Sequence, residues 1–141
     1  MKNKRIISIF SLAVTFFLCI GATIAQPKYD NKNLGVGPIK SVTLGPIDAK
    51  MVSQGKTIFT NTCFLCHELD QLKIGPPLRN IAKDRAPEFI MNLLLNTSTM
   101  QKTDPYIKAL IVKYNNIVMT DPGLSQAQAR SVVEYLRSVA K

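Results

Sequence analysis

Cys63-Phe64-Leu65-Cys66-His67 is the stretch on which the reading of this chain turns. Two thiols separated by two residues can reach the two vinyl groups of one porphyrin as thioethers, and the histidine that follows then sits beneath the iron. C-x-x-C-H is the signal for covalent haem attachment. Other uses of the same residues fit less well. A redox-active C-x-x-C belongs in a strand-to-helix context, and no convincing strand is visible here; Val42 to Leu44 is too short. A structural zinc site takes four ligands. Once the amino-terminal segment is set aside, Cys63, Cys66 and His67 are the only cysteines and histidine. A plain disulfide is open to any cysteine pair in an oxidising compartment, but the adjacent histidine and the helical surroundings favour haem.

Those surroundings are read outward from the motif. Upstream, Asp48 has the character of an N-cap, and Val52, Gly55, Phe59 and Thr62 recur three or four apart, which predicts a helix running into Cys63. Downstream, Gly75-Pro76-Pro77 breaks the chain, so residues 63–80 are expected to be mostly loop. Pro87 suits a first helical position and Glu88 the positive end of the helix dipole, with Phe89, Ile90, Leu93 and Leu94 as the apolar face up to about Asn96. Asp104-Pro105 repeats the start signal ahead of Ile107, Leu110, Ile111 and Tyr114. A loop with a Pro-Gly turn follows from Asn115 to Gly123. Ser125 and Gln128 then form a capping box for a last helix carrying Ala129, Val132, Val133, Leu136 and Val139. The expectation is a small all-α domain over 48–141, about four helices wrapped around one haem.

The chain ahead of this domain has two parts. Lys2, Lys4 and Arg5 precede an uncharged apolar run from Ile6 that ends in small residues at Ala25. That order is a secretory signal, 1–25, with cleavage expected before Gln26. An uncleaved membrane anchor is the alternative, since about 20 apolar residues span a bilayer. Cys19 has Leu18 before it instead of the small residue of a lipoprotein signal, and is read as apolar filler. Residues 26–47 are rich in Gly, Pro, Asn and Lys and poor in periodicity, which predicts a tether or surface-hugging arm and no core element. The chain carries 18 basic and 9 acidic residues, net +9, and removal of residues 1–25 leaves +6. The lysines are dispersed, with no basic run or aromatic-interleaved stripe. This excludes nucleic acid as the expected partner and favours steering toward an acidic protein.

With these motifs in place the chain resembles the class I c-type cytochromes, over most of residues 48–141. Gly55, Phe59 and Cys63 have that family's spacing, and the resemblance implies that Gly55 lets the first helix cross the last closely, against Val132 and Tyr135. Gly75-Pro76-Pro77-Leu78 is similar to the family's Gly-Pro-x-Leu. By that likeness the Pro76 carbonyl accepts the His67 Nδ1–H and Leu78 packs on the haem. Phe89 stands where many relatives have a tryptophan. Arg79 and Arg85 are candidates for pairing with haem propionates.

His67 can ligate iron from one side only, and a second histidine is lacking. Met51 and Met91 fall on predicted helices, where methionine is usually core. Met100, in an expected connecting segment, and Met119, in the loop before the last helix, remain. The family places its ligand in that last loop, which implies Met119. The expected function is therefore one-electron transfer by a periplasmic, monomeric cytochrome with one covalent haem c, iron held by His67 and Met119, and no enzymatic reaction. Its expected partners are acidic redox proteins, a donor and a terminal reductase or oxidase of a respiratory chain. Lys73, Lys83 and Lys113 are candidates for the docking face. The alternatives are a haem enzyme or gas sensor with a displaceable sixth ligand, or a docked cytochrome subunit of a reductase or oxidase.

Overall fold

The computed structural model describes residues 32–141; the expected export signal, Cys19 and the first residues of the expected arm lie outside the described residues. Six helices follow the arm: α1 (Ala49–Ile58), α2 (Ile81–Asp84), α3 (Pro87–Leu95), α4 (Thr97–Thr103), α5 (Pro105–Lys113) and α6 (Gln126–Val139). No β-strand occurs among the described residues. The start signals act as local chemistry requires. The Asp48 carboxylate accepts the Met51 N–H at 2.9 Å, Asp104 accepts that of Ile107 at 3.0 Å, and Ser125 with Gln128 closes the capping box of α6. No described helix is long and apolar enough to cross a membrane.

The pair α1 and α6 forms the backbone of the domain. A Cβ built on Gly55 would lie 2.0 Å from the Ser131 carbonyl oxygen and 2.8 Å from Tyr135 Cβ. Only glycine lets the two helix backbones touch there. One turn on, the Phe59 and Tyr135 rings pack at 5.4 Å with a 55° tilt. Tyr135 thus faces Gly55 as expected, with the Ser131 carbonyl as the nearest group, and Val132 shares the main core with Phe59, Ile90, Met91, Leu94 and Leu136. Beyond Ile58 the helix widens into a π turn, Phe59–Cys63, whose closing bond runs from Phe64 N–H to the Phe59 carbonyl at 2.8 Å. A π turn shifts everything after it around the helix axis, and what comes after is the Cys63–His67 motif.

Two helices exceed the expected four. The single turn α2 and the seven-residue α4 are held by tertiary contact. The sequence of α4, Thr97-Ser-Thr-Met-Gln-Lys-Thr103, is poor in helix formers. It has one apolar anchor, Met100, which is fully buried beside Ala86, Phe89 and Ile107 in a second core. Met100 therefore lies on a helix and not in a connecting segment.

The arm is a second correction. It does hug the surface, yet Ile39 belongs to the main core at 5% exposure. The buried Asn92 side chain on α3 holds it in place: Asn92 Oδ1 accepts the Ile39 N–H, and Nδ2 donates to the Leu34 and Ile39 carbonyls, each at 2.9 Å. Every polar atom of a buried amide is thereby satisfied by arm backbone. The Val36 N–H points to Met100 Sδ at 2.9 Å, and the Val42 N–H donates to Glu88 at 2.6 Å. Gly37 is needed because a Cβ there would meet Asn92 Oδ1 at 2.4 Å.

At the junction of arm, α1 and α6 sits a fully buried carboxylate, Glu134. It accepts hydrogen bonds from Arg130, from Arg137 at 2.8 and 3.0 Å, and from the Asp48 backbone N–H at 2.9 Å. Arg137 also donates to the Gly45 carbonyl at 3.0 Å. Burial alone would raise the Glu134 carboxyl, but the Asp48 amide and the two arginines outweigh it and hold the group below its ordinary value of 4.5.

Candidate haem site

Cys63 closes the π turn, and the next residues stay wound on it. Cys66 N–H and His67 N–H both donate to the Cys63 carbonyl, at 3.1 and 2.9 Å. The Cys66 carbonyl in turn accepts from the Ile74 and Gly75 amides at 3.1 and 2.8 Å, which folds the following loop back under the motif. Two more backbone bonds, Leu78 N–H to Glu68 and Arg79 N–H to Leu69 at 3.0 Å each, complete the wrap.

This loop seats the histidine. His67 Nδ1 lies 2.9 Å from the Pro76 carbonyl oxygen, which can only accept, so Nδ1 carries the proton and Nε2 keeps its lone pair for a metal. A Cβ on Gly75 would fall 2.3 Å from the His67 ring. Gly75 thus lets the loop backbone lie flat against the imidazole, a role the turn reading of Gly-Pro-Pro did not contain.

Cys63 is partly buried and Cys66 exposed, and no disulfide joins them. Burial, and after it the neighbouring Cys66, push the Cys63 thiol up to about 11. A redox-active C-x-x-C has a lowered value, the opposite of the direction at Cys63. Among the described residues no group of three or more His, Cys, Asp or Glu side chains is arranged to hold a metal ion.

The other candidates are distributed as follows. Cys63, Leu78 and Met119 are partly buried and all pack against the main core. Met100 is withdrawn into the second core, and Met91 into the main one. Met119 follows a sharp exit from α5, where Asn115 and Asn116 take φ of 59° and 58° and the Asn116 N–H caps the Ile111 carbonyl at 2.8 Å. Consecutive left-handed residues suit asparagine better than most side chains. Val36 and Ile47 apart, the large exposed apolar side chains among the described residues are Phe64, Leu65, Leu72 and Ile74 on the His67 side, and Val112, Ile117 and Val118 on the approach to Met119. Apolar surface concentrated on these two segments is what a flat, largely apolar macrocycle requires. The residues present fit a haem.

Arg79 is engaged elsewhere. It clasps Asp70 through two nitrogens and donates to the Val139 carbonyl at the end of α6 at 2.9 Å. That guanidinium holds the exposed Asp70 carboxyl below its ordinary 3.8. Arg85 lies 3.6 Å over the Tyr106 ring centroid, and Phe89 packs edge-on to the same tyrosine. Lys73 donates to the Phe64 carbonyl at 2.6 Å and covers its ring. One residue near the site escaped sequence reading: Gln101, whose side-chain amide bonds both backbone atoms of Met119, N–H to Oε1 at 2.8 Å and Nε2 to the carbonyl at 2.9 Å. A glutamine on a weak helix carries no local signal for such a contact.

A covalent attachment motif on a helix end, a seated histidine and an all-α frame around them define a small haem-bearing domain. The family model for cytochrome c matches residues 52–140, and the chain belongs to that family, as a class I c-type cytochrome. Among solved structures it is similar to cytochrome c from Rhodothermus marinus, with 47% identity over 74% of this chain and 90% of that one and a TM-score of 0.71. An engineered form of that protein, Rma TDE, matches at 46% identity over the same shares, with a TM-score of 0.71. The engineered form bound to a carbene intermediate, 1-ethoxy-1-oxopropan-2-ylidene, matches at 45% with a TM-score of 0.68, again over 74% and 90%. No curated protein matches in sequence. Family membership brings a covalently attached haem c, and Cys63 and Cys66 are consistent with its attachment.

Proposed function

We propose that this cytochrome is an exported one-electron carrier of a respiratory chain, with iron ligated by His67 and Met119. The observation that supports it most is the contrast between two methionines. The Met100 side chain is 0% exposed, with its sulfur facing the Val36 amide, whereas Met119 sits half-buried in a loop held at both backbone atoms. Bound haem supplies the one-electron iron couple. The chain supplies ligands and burial: the Pro76 carbonyl fixes the His67 tautomer and raises its basicity, and a thioether sulfur from Met119 favours the reduced state. A protein ligand on each side leaves no position for a substrate. The engineered relative with a bound carbene marks the competing reading, a haem enzyme or sensor with a displaceable ligand. The two bonds that hold Met119 favour the carrier.

A net positive chain suits brief encounters with acidic donor and acceptor proteins, a terminal reductase or oxidase among them. Lys83 and Lys113 are exposed and available for this. Lys73 already has a partner in the Phe64 carbonyl. In a redox titration the purified protein should follow a one-electron curve, and its ferrous form should leave carbon monoxide unbound. Ready binding of carbon monoxide by the wild type would sink the carrier reading. For export, the intact mass of protein from its native host should correspond to a chain beginning at Gln26 plus one haem. A mass that retains residues 1–25 would make it a membrane-anchored periplasmic cytochrome instead.

A further inference from the structure

The geometry points to Gln101 as a positioning residue for the iron ligand: its side-chain amide acts as a surrogate strand for Met119 and limits how far the ligand loop can swing away. This rests on the Met119 ligation proposed above. Met119 N–H donates to Gln101 Oε1 at 2.8 Å, and Gln101 Nε2 donates to the Met119 carbonyl at 2.9 Å, across 18 residues of chain. A primary amide presenting an acceptor and a donor side by side satisfies both backbone groups of one residue, as a neighbouring strand would. Among the described residues no backbone–backbone bond outside the helices holds residues 118–124.

The base of this clamp is buried and hydrogen-bonded. Gln101 follows Met100, the buried anchor of α4, whose sulfur faces the Val36 amide. Thr97 Oγ1 ties the first turn of α4 back to the Leu93 carbonyl at 2.7 Å, and the Met100 carbonyl accepts the Asp104 amide at 2.9 Å. Asn96 Nδ2, at the start of α4, donates to the Val36 carbonyl at 2.9 Å. The line of contacts therefore runs from arm to α4 to Met119, each link a hydrogen bond between packed groups. A ligand that dissociates must take its loop with it, so a loop tied down at the ligand residue itself raises the free energy of the open state. Each ordinary hydrogen bond shifts such an equilibrium by roughly three- to tenfold.

The test compares wild type with Gln101→Leu, which keeps bulk and helix propensity but removes both bonds, and with Gln101→Glu. The ionised carboxylate of the latter can accept from the Met119 amide but opposes its carbonyl. Two measurements are made on the haem-loaded, folded proteins at neutral pH: hydrogen exchange of the Met119 amide, and affinity of the ferric iron for imidazole. In Gln101→Leu we expect exchange faster by about tenfold or more and imidazole binding tighter by a similar factor, with Gln101→Asn, too short to span, behaving alike. In Gln101→Glu imidazole binding should tighten while the Met119 amide, which keeps its acceptor, exchanges near the wild-type rate. A purely structural role in packing α4 predicts wild-type exchange and imidazole affinity in Gln101→Leu and wild-type imidazole affinity in Gln101→Glu, and that result would overturn the inference. The ligation reading fails separately, if wild type and Met119→Ala bind imidazole equally; in that case the Met119 amide exchange alone still decides whether the clamp exists.

Discussion

Replacing Met119 by alanine should abolish the weak sulfur-to-iron absorption band of the ferric protein, lower its potential and open the ferrous iron to carbon monoxide. No second histidine exists to take the vacated position, and loss of a thioether ligand removes its preference for the reduced state. Met100 gives the opposite pattern. Its side chain is 0% exposed among Ala86, Phe89 and Ile107, so Met100→Ala should cost on the order of 2–5 kcal/mol of stability by leaving a cavity. The volume-conserving Met100→Leu should cost about 1–2 kcal/mol, mostly the lost contact of Sδ with the Val36 amide. In Met100→Leu, measured well below its melting temperature, the band, the potential and the closed iron should persist. A band that vanishes in Met100→Leu and survives in Met119→Leu would transfer the ligand role to Met100.

Substituting Glu134 by glutamine should be among the most destabilising single changes in the chain. The carboxylate is fully buried and is the common partner of Arg130, Arg137 and the amide that begins α1. Removing its charge leaves two largely covered guanidinium groups facing each other, a loss of about 3–5 kcal/mol for a buried pair broken on one side, or a melting point lower by on the order of 10 °C or more. The pH dependence has a definite sign. The folded carboxyl titrates below its ordinary 4.5, so the unfolded chain binds the proton more readily. The stabilisation is complete above 4.5 and is lost as the pH falls through the lower folded value. Thermal melts of wild type and Glu134→Gln should therefore lie far apart at neutral pH and converge in acid. Curves that stay parallel down to acid would show that the carboxylate charge is not what holds this junction.

The features legible in the sequence are those whose physics is local. The attachment motif is read from the spacing of Cys63, Cys66 and His67. The helix starts at Asp48, Asp104 and Ser125 are read from side chains that bond an amide three residues on. Gly55 and Phe59 repeat along one face, and the family likeness then anticipated the close crossing and the Pro76 carbonyl at His67 Nδ1. By contrast, α4 is built from poor helix formers and exists because Met100 is buried, a fact set by distant residues. Asn92 looks like any polar residue on an amphipathic helix until the arm, 53 residues away, saturates its amide. Arg79 looked equally suited to a propionate, and the fold spends it on Asp70 and the end of α6. Gln101 and Met119 meet only because α5 reverses through Asn115 and Asn116. Motif, caps and helix faces thus belong to the sequence, because neighbours along the chain create them. Which methionine is withdrawn, what the arm holds and what steadies Met119 belong to the tertiary structure, because partners far apart in sequence must first be packed together before those bonds exist.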